Sequence, residues 1–412
     1  MTKFYLKTLG CKVNQYDGAK LASFLKTFGW QQTTEAPDLI LVNTCAVTSK
    51  AIVKNRHLVN QLRREFQGAK IALLGCWPRT YQADAKKLAV DFLISNKEPL
   101  AIAQNLIALM NESGPFCAPT LLSATDRARY FIKIQDGCRQ FCSYCLIPYA
   151  RGKLSSRPQA EVVAEVAMAI KAGYGEIVLS GIHLGLYGQE SEAGNLVKLL
   201  KVLLKLKGEF RLRLSSIEIT ELSDELINLI KAESRLCRHL HISLQSGCDK
   251  ILKLMNRPYD TAYFAKRVTK LRQAVPDIAL STDIIVGFPG ETEADFKATL
   301  NFAKSMAFSK IHVFSFSAHP QTPAYTMPEQ VSLSIIKARS KKLRQLSDGL
   351  TADFVKNFKG RDLEVAVIGR RQGKLIGKSQ YYFDVEFDES NIIKQSTTGK
   401  LIGKLVKISQ KS

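Results

Sequence analysis

The sequence predicts an α/β protein in three parts: an N-terminal domain on a parallel α/β sheet, a central partial (βα)6 barrel and a small C-terminal β-barrel. Three observations carry that reading. Short apolar runs alternate with helical patterns near the N-terminus, six more strand-and-helix units follow, and from about Gly360 the helical period gives way to short strands punctuated by glycine.

In the first part FYLKTLGC, DLILVNTC and KIALLGC read as strands that end at Cys11, Cys45 and Cys76, with AKLASFLKTF and KAIVKNRHLVNQLRREF as helices between them. That order implies right-handed crossovers and a parallel sheet, whose ligands collect beyond the carboxyl ends of the strands. The three cysteines are therefore expected to converge as a second three-thiolate cluster site, beside the one described next; three unrelated buried cysteines are the alternative. Ala101 to Met110 reads as a helix, and NESGPFCAPTLLSATDRA as a linker. Domain boundaries are expected at 1–112, 127–358 and 359–412, with the linker at 113–126.

The central strands are YFIKI, EIVLSG, RLRLSS, HLHISL, STDIIVG and KIHVFSF, separated by helical patterns such as AEVVAEVAMAIKAG and NLVKLLKVLLKL. Alternation of this kind suits an open TIM-type barrel with its chemistry at the carboxyl ends of the strands. The first of those ends leads into DGCRQFCSYCLIPYARG, where Cys138, Cys142 and Cys145 form a CxxxCxxC triplet. Three thiolates can hold a four-iron cluster and leave one iron open to a chelating small molecule. A structural zinc site would need a fourth ligand, normally from a second pair, and buried thiols usually occur singly. In the last part LEVAVIG, KLIGKS, YYFDVEF and KLVKI read as strands of a small barrel of the kind that often grips RNA, a packing appendage being the alternative.

The chain of 412 residues has a net charge of +22. That favours nucleic acid over a small acidic substrate. The charge concentrates on two helical patterns, Lys50, Lys54, Arg56, Arg63 and Arg64 on one, and Lys337, Arg339, Lys341, Lys342 and Arg344 on the other. No apolar run is long enough to span a membrane and the N-terminus lacks a secretory pattern, so an odd count of nine cysteines points to a reducing, cytoplasmic setting. Cys117, Cys237 and Cys248 read as bystanders.

TLGCKVNQYD, NTCAVT, GCW, the triplet with IPYARG, GYGEIVLSGIHLG, RLSSIE, HLHISLQSG, STDIIVGFPGETE and HVFSFSAHPQTPAYTMP resemble, in order and over almost the whole chain, the radical S-adenosylmethionine methylthiotransferases. TLGCKVNQYD is most similar to the MtaB branch. The resemblance implies two [4Fe-4S] clusters: one on Cys138, Cys142 and Cys145 that cleaves S-adenosylmethionine to a 5′-deoxyadenosyl radical, and an auxiliary one on Cys11, Cys45 and Cys76 that carries the sulfur. It implies methylthiolation at C2 of N6-threonylcarbamoyladenosine at tRNA position 37, with no catalytic residue beyond cluster and cofactor. An electron donor of flavodoxin or ferredoxin type, a sulfur donor and a C-terminal TRAM domain for RNA complete the expectation. Relatives act on isopentenyladenosine in tRNA or on a ribosomal protein, and a non-catalytic RNA-binding redox sensor is the rival of another class.

By the same resemblance Tyr144, Gly175, Glu176, Ser216, Glu218, Gln245 and Asp283 are expected around the cofactor, while His183 and His241 are read as ordinary. The chain departs from the family pattern at Ser243, where proline is usual, at Cys248, where serine is common, at Trp77-Pro78 after Cys76, and in AHPQTPA, which lacks a basic residue before Pro320.

Overall fold

The computed structural model describes residues 1–111, 128–191, 194–395 and 401–409. The expected linker lies almost wholly outside the described residues, as does Cys117. The backbone gathers into two compact units. One takes in the N-terminal residues with Asp136–Gln140 and Cys145–Leu154; the other takes in the segment ending at Gln135, Phe141–Tyr144 and everything from Ser155 onward.

The first unit is a five-stranded parallel sheet of β1 (Lys3–Thr8), β2 (Gln31–Gln32), β3 (Leu39–Thr44), β4 (Lys70–Gly75) and β5 (Phe92–Leu93), in the order β2-β1-β3-β4-β5. The three long strands are those read from sequence; the two edge strands are too short to show a period. β3 is buried at every position because helices cover both faces, as a parallel sheet requires. Phe4, Leu25, Leu41 and Leu106 form the core on one face, and Ile40, Val42, Leu73 and Trp77 that on the other. The second core also takes in Ala150 of the short helix Ile147–Arg151 and Leu146, which caps it. This packing explains why the stretch after the cysteine triplet belongs to the N-terminal unit.

The second unit opens with β6 (Tyr130–Lys133) and holds the short β7 (Gln135–Asp136, of which Gln135 belongs here) and β8 (Ser155–Ser156), which flank the cysteine loop in sequence. Its wall continues through β9 (Glu176–Ser180), β10 (Arg211–Leu214), β11 (Ser216–Ile217), β12 (His239–Ile242), β13 (Ala279–Val286) and β14 (Lys310–Ser315). All pair in parallel: β10-β9-β6 make one sheet and β11-β12-β13-β14 the other, and β10 and β11 are parted only by Ser215. The six expected strands are thus the six wall positions of a partial barrel. Helix starts are capped as their sequences suggest: Thr292 and Asp295 form a reciprocal capping box, and Ser223 and Asp260 each accept a backbone N–H.

Beyond the long helix Leu333–Lys356, β15 (Leu363–Arg371), β16 (Lys374–Ser379), β17 (Asp384–Phe387), β18 (Ile392–Gln395) and β19 (Leu405–Ile408) form an antiparallel sheet in the order β17-β16-β15-β19-β18 around Val365, Leu375, Phe387 and Val406. The expected strand YYFDVEF begins only at Asp384, because Tyr382 turns with φ +75°.

This sheet closes one end of the barrel. Arg211 donates from Nη2 to Lys378 O at 2.7 Å and from Nη1 to Glu364 O at 2.9 Å, and Arg213 donates to Ser379 O at 2.8 Å. Both guanidiniums also hold the fully buried Glu176, with Arg213 Nε 2.9 Å from its Oε1 and Arg211 Nη2 2.6 Å from Oε2. Tyr382 stacks on His239 with ring centroids 4.5 Å apart and lies under the cation of Arg213 at 5.0 Å. The amino-terminal mouth of the barrel is therefore plugged by charge pairs and an aromatic ring.

Candidate metal centres

Cys11, Cys45 and Cys76 all stand at strand ends of the first unit. Cys11 caps the helix Lys12–Thr27 beyond β1, Cys45 follows β3, and Cys76 opens the helix Cys76–Thr80 beyond β4. Two glycines make the turns: Gly10 has φ +100° and a Cβ there would stand 2.8 Å from the Cys45 Cβ, while Gly75 has φ +94° and its Cβ would meet Thr44 O at 2.5 Å. Amides staple the ends together. Asn14 donates to Leu9 O at 2.6 Å and Thr44 O at 3.3 Å, and Asn55 donates to Cys45 O at 2.7 Å.

The three thiols are close enough to feel one another. Burial pushes the Cys45 thiol up to about 11, and the neighbouring Cys76 and Cys11 add to the rise. Burial also pushes Cys76 up, against the pull of Arg151 and Arg79. Three thiolates at one place need positive charge, and Arg151 supplies some. Its Nη1 pairs with Asp17 at 2.8 Å and Asp136 at 3.1 Å, whereas its buried Nε finds no hydrogen-bond partner among the described residues. Buried thiols with a spare guanidinium donor suit an anionic cluster. No three His, Cys, Asp or Glu among the described residues close on a point as a single metal ion requires.

In the CxxxCxxC loop Gly137 has φ +72°, and a Cβ there would strike Lys153 O at 1.9 Å, so only glycine fits. Cys138 Sγ accepts the N–H of Gln140 at 3.4 Å. On the side of the loop belonging to the second unit, Ser143 N donates to Met255 O at 3.1 Å, Ala324 N to Ser143 O at 2.8 Å, and Asn256 Nδ2 to Phe141 O at 2.9 Å. Cys142, buried, accepts from Arg257 Nη1 at 3.2 Å, and Arg257 is ion-paired with Glu218. Sulfurs that receive N–H donors are the ligands an anionic cluster uses. Sequence reading missed Arg257, whose only signal was a cation in the loop LMNRP.

The structure sorts the remaining expected residues. Tyr144 packs against the cluster of Met255 and Phe288, as Phe316 does. Ser216 stands opposite His241 in the strand register. Gln245 takes φ +68° beyond β12 and donates its N–H to Asp283 O at 2.8 Å. Asp283 is 3.1 Å from His241 Nε2, and His183 pairs with Glu221.

Gly175 and Glu176 are the correction: Gly175 precedes β9 and Glu176 opens it, so both lie at its amino end, the end the C-terminal sheet plugs, away from Cys142. A Cβ on Gly175 would sit 2.7 Å from Leu405 N. Burial works against the charge of Glu176, but Arg213 and Arg211 hold its carboxyl well below the usual range. Cys237 is buried beside this group and Cys248 donates to Asp295 at 3.3 Å. The basic helices also divide. Arg56 and Arg63 pair with Asp84 and Asp91, and Arg339 is buried on Glu291, which leaves Lys50, Lys54 and Arg64 on one helix and Lys337, Lys341 and Arg344 on the other exposed.

Residues 132–303 match the Radical SAM superfamily, and residues 3–95 match the uncharacterized protein family UPF0004. The threonylcarbamoyladenosine tRNA methylthiotransferase MtaB of Thermotoga maritima is 38% identical over 396 residues, covering 93% of this chain and 90% of that protein. The chain belongs to the radical S-adenosylmethionine tRNA methylthiotransferases. MtaB of Bacillus subtilis is 34% identical, with 97% and 92% covered, and the tRNA-2-methylthio-N(6)-dimethylallyladenosine synthase of Acetivibrio thermocellus is 30% identical, with 98% and 88% covered. Among solved structures, the radical S-adenosylmethionine methyltransferase TsrM from Kitasatospora setae shares the fold at 15% identity, with a TM-score of 0.60 over 79% of this chain and 75% of that one. This methylthiotransferase is an enzyme whose cofactors are [4Fe-4S] clusters and S-adenosylmethionine. No described helix is long and apolar enough to cross a membrane.

Proposed function

We propose that the enzyme methylthiolates C2 of N6-threonylcarbamoyladenosine in tRNA, at position 37 beside the anticodon, using two clusters. The observation that carries the two-cluster reading is the pair of three-cysteine sets: one at the strand ends of the first unit with Arg151, the other in the loop where Arg257 contacts Cys142. Bound there, the clusters and S-adenosylmethionine supply the electron, the radical and the sulfur, which an inert carbon–hydrogen bond demands. The chain's own residues do the rest. Arg257, fixed by Glu218, donates to the Cys142 sulfur; Tyr144 offers a ring to the cofactor; and Ser216 in β11, Gln245 beyond β12 and Asp283 in β13 are the further candidates for holding it.

The choice of base rests on the relatives, for the most similar ones described above act on the threonylcarbamoyl base. An enzyme for dimethylallyladenosine is the second reading, supported by the Acetivibrio relative. We assign the tRNA surface to the exposed Lys337, Lys341 and Arg344, which share one side of the helix Leu333–Lys356. The C-terminal sheet, read as a TRAM domain, contributes less phosphate contact than its composition suggests, because Lys378 pairs with Asp384, Lys407 with Asp362, and Arg370 and Arg371 with Glu389 and Glu386. A reductant of flavodoxin or ferredoxin type, a sulfur donor and a cytoplasmic location belong to the same reading.

Nucleoside mass spectrometry of tRNA from cells with and without the gene tests it. The 2-methylthio derivative of threonylcarbamoyladenosine should vanish with the gene; loss of the dimethylallyl derivative instead supports the second reading. Reductive cleavage of S-adenosylmethionine by the purified protein separates both from a redox sensor.

A further inference from the structure

The barrel lumen above the plug is lined in part by His312 and Phe314, which none of the roles above uses. On β14 the side chains alternate: Ser315 Oγ lies 3.1 Å from Ser340 Oγ of the helix outside, so His312, Phe314 and Phe316 take the inner face. The strand register sets His312 opposite Asp283 and Phe314 opposite Ile285. Phe316 meets Phe288 at 5.5 Å, in the cluster that includes Tyr144. From the cysteine loop downward, β14 therefore shows the lumen one packed aromatic ring, then Phe314 with 41% of its surface exposed, then the exposed imidazole of His312.

The floor beside His312 is polar and already ordered. His241 has both ring nitrogens engaged, Nδ1 at 2.9 Å from Ser281 Oγ and Nε2 at 3.1 Å from Asp283, and its ring lies 5.5 Å from that of His312. His312 stands next to this pair, opposite Asp283 in the strand register. A carboxylate brought by a ligand would accept from its exposed imidazole, and a charge-assisted hydrogen bond is the strong kind. An apolar substituent pressed onto the same floor would strip water from an imidazole and a carboxylate and return no hydrogen bond.

We infer that this floor is the subsite for a hydrophilic, carboxylate-bearing substituent on the target adenine, with Phe314 as the stacking surface for the base and His312 as the specificity-determining donor. The inference rests on the substrate reading above, since a threonyl group carries such a carboxylate and a dimethylallyl group does not. It adds the residues that make the choice.

The test measures equilibrium binding of the cluster-loaded full chain, under anaerobic conditions, to anticodon stem-loops that differ only in the target base: threonylcarbamoyl-, dimethylallyl- or unmodified adenosine. Wild type should prefer the threonylcarbamoyl stem-loop. His312→Leu should lose that preference by roughly tenfold to a hundredfold, the worth of a hydrogen bond to a carboxylate, and His312→Gln, which keeps a side-chain N–H donor, should retain part of it. KM for the threonylcarbamoyl substrate should rise in step, with kcat changed less. His312→Leu binding with the wild-type preference overturns the assignment of His312 and leaves the substrate reading standing. A wild type that prefers the dimethylallyl stem-loop overturns both, and the two failures are read on different proteins.

Discussion

The two ends of the barrel handle buried charge in opposite ways. At the amino end, Glu176 is met by Arg129, Arg211 and Arg213, and the last two guanidiniums also reach backbone carbonyls of the C-terminal sheet, so the group is satisfied within the chain. At the carboxyl end, Arg257 faces Glu218 and a cysteine sulfur, in a loop that holds two further cysteines. A charge met only by carboxylates and carbonyls is a structural device; one that also meets a candidate ligand sulfur belongs to a site. Glu176 is fully buried in the plug, whereas His312 is exposed.

The largest effect expected is at the open end. Replacing Cys138, Cys142 and Cys145 with alanine should abolish 5′-deoxyadenosine formation and halve an iron content of about eight per chain, the stoichiometry of two four-iron clusters. Persistent cleavage would reassign the site.

The closed end should answer in stability. Glu176→Gln leaves buried guanidiniums short of their carboxylate and should lower unfolding free energy by about 3–5 kcal/mol, read from urea melts. The pH dependence has a definite sign. The Glu176 carboxyl is held below its ordinary value of 4.5, so its contribution is fully present above that value and fades as pH falls through the lower, folded-state value. The gap between wild type and Glu176→Gln should be constant from neutral pH down to the ordinary carboxylate range and narrow only below it. A gap that closes near neutral pH would contradict the pairing.

Between these lies Arg257→Met, which removes a donor to a ligand sulfur and should weaken cluster retention about tenfold to a hundredfold, measured as iron lost to a chelator. The smallest effect belongs to a pair outside both regions: Lys201→Ala breaks an exposed contact with Glu225 and should change stability by less than about 1 kcal/mol. If Lys201→Ala matched Glu176→Gln, burial would not be what distinguishes the plug. Deleting the whole C-terminal sheet is a poor test of RNA binding, because it strips carbonyl partners from Arg211 and Arg213; charge reversal at Lys337, Lys341 and Arg344 leaves the plug in place.

Much of the fold was legible because strands and helices announce themselves by period. The strand ends at Cys11, Cys45 and Cys76 and all six barrel strands follow from apolar runs and their spacing, and the cysteine triplet is contiguous. Gly175 and Glu176 were misread for a reason of direction: a residue that opens a parallel strand lies at the end opposite the site, whatever motif it belongs to. Arg257 and His312 come from a turn and a separate strand, and no local pattern links them.

The sequence by itself determined the ligand set and the alternation of elements, since both depend on residue type and short-range spacing. Only the tertiary structure decided which charges are spent on packing and which remain for chemistry. Whether Glu176 is a plug and Arg257 a ligand's partner depends on the three-dimensional neighbours of each charge, and those neighbours, Arg211 and Arg213 for one and Cys142 for the other, lie far away along the chain.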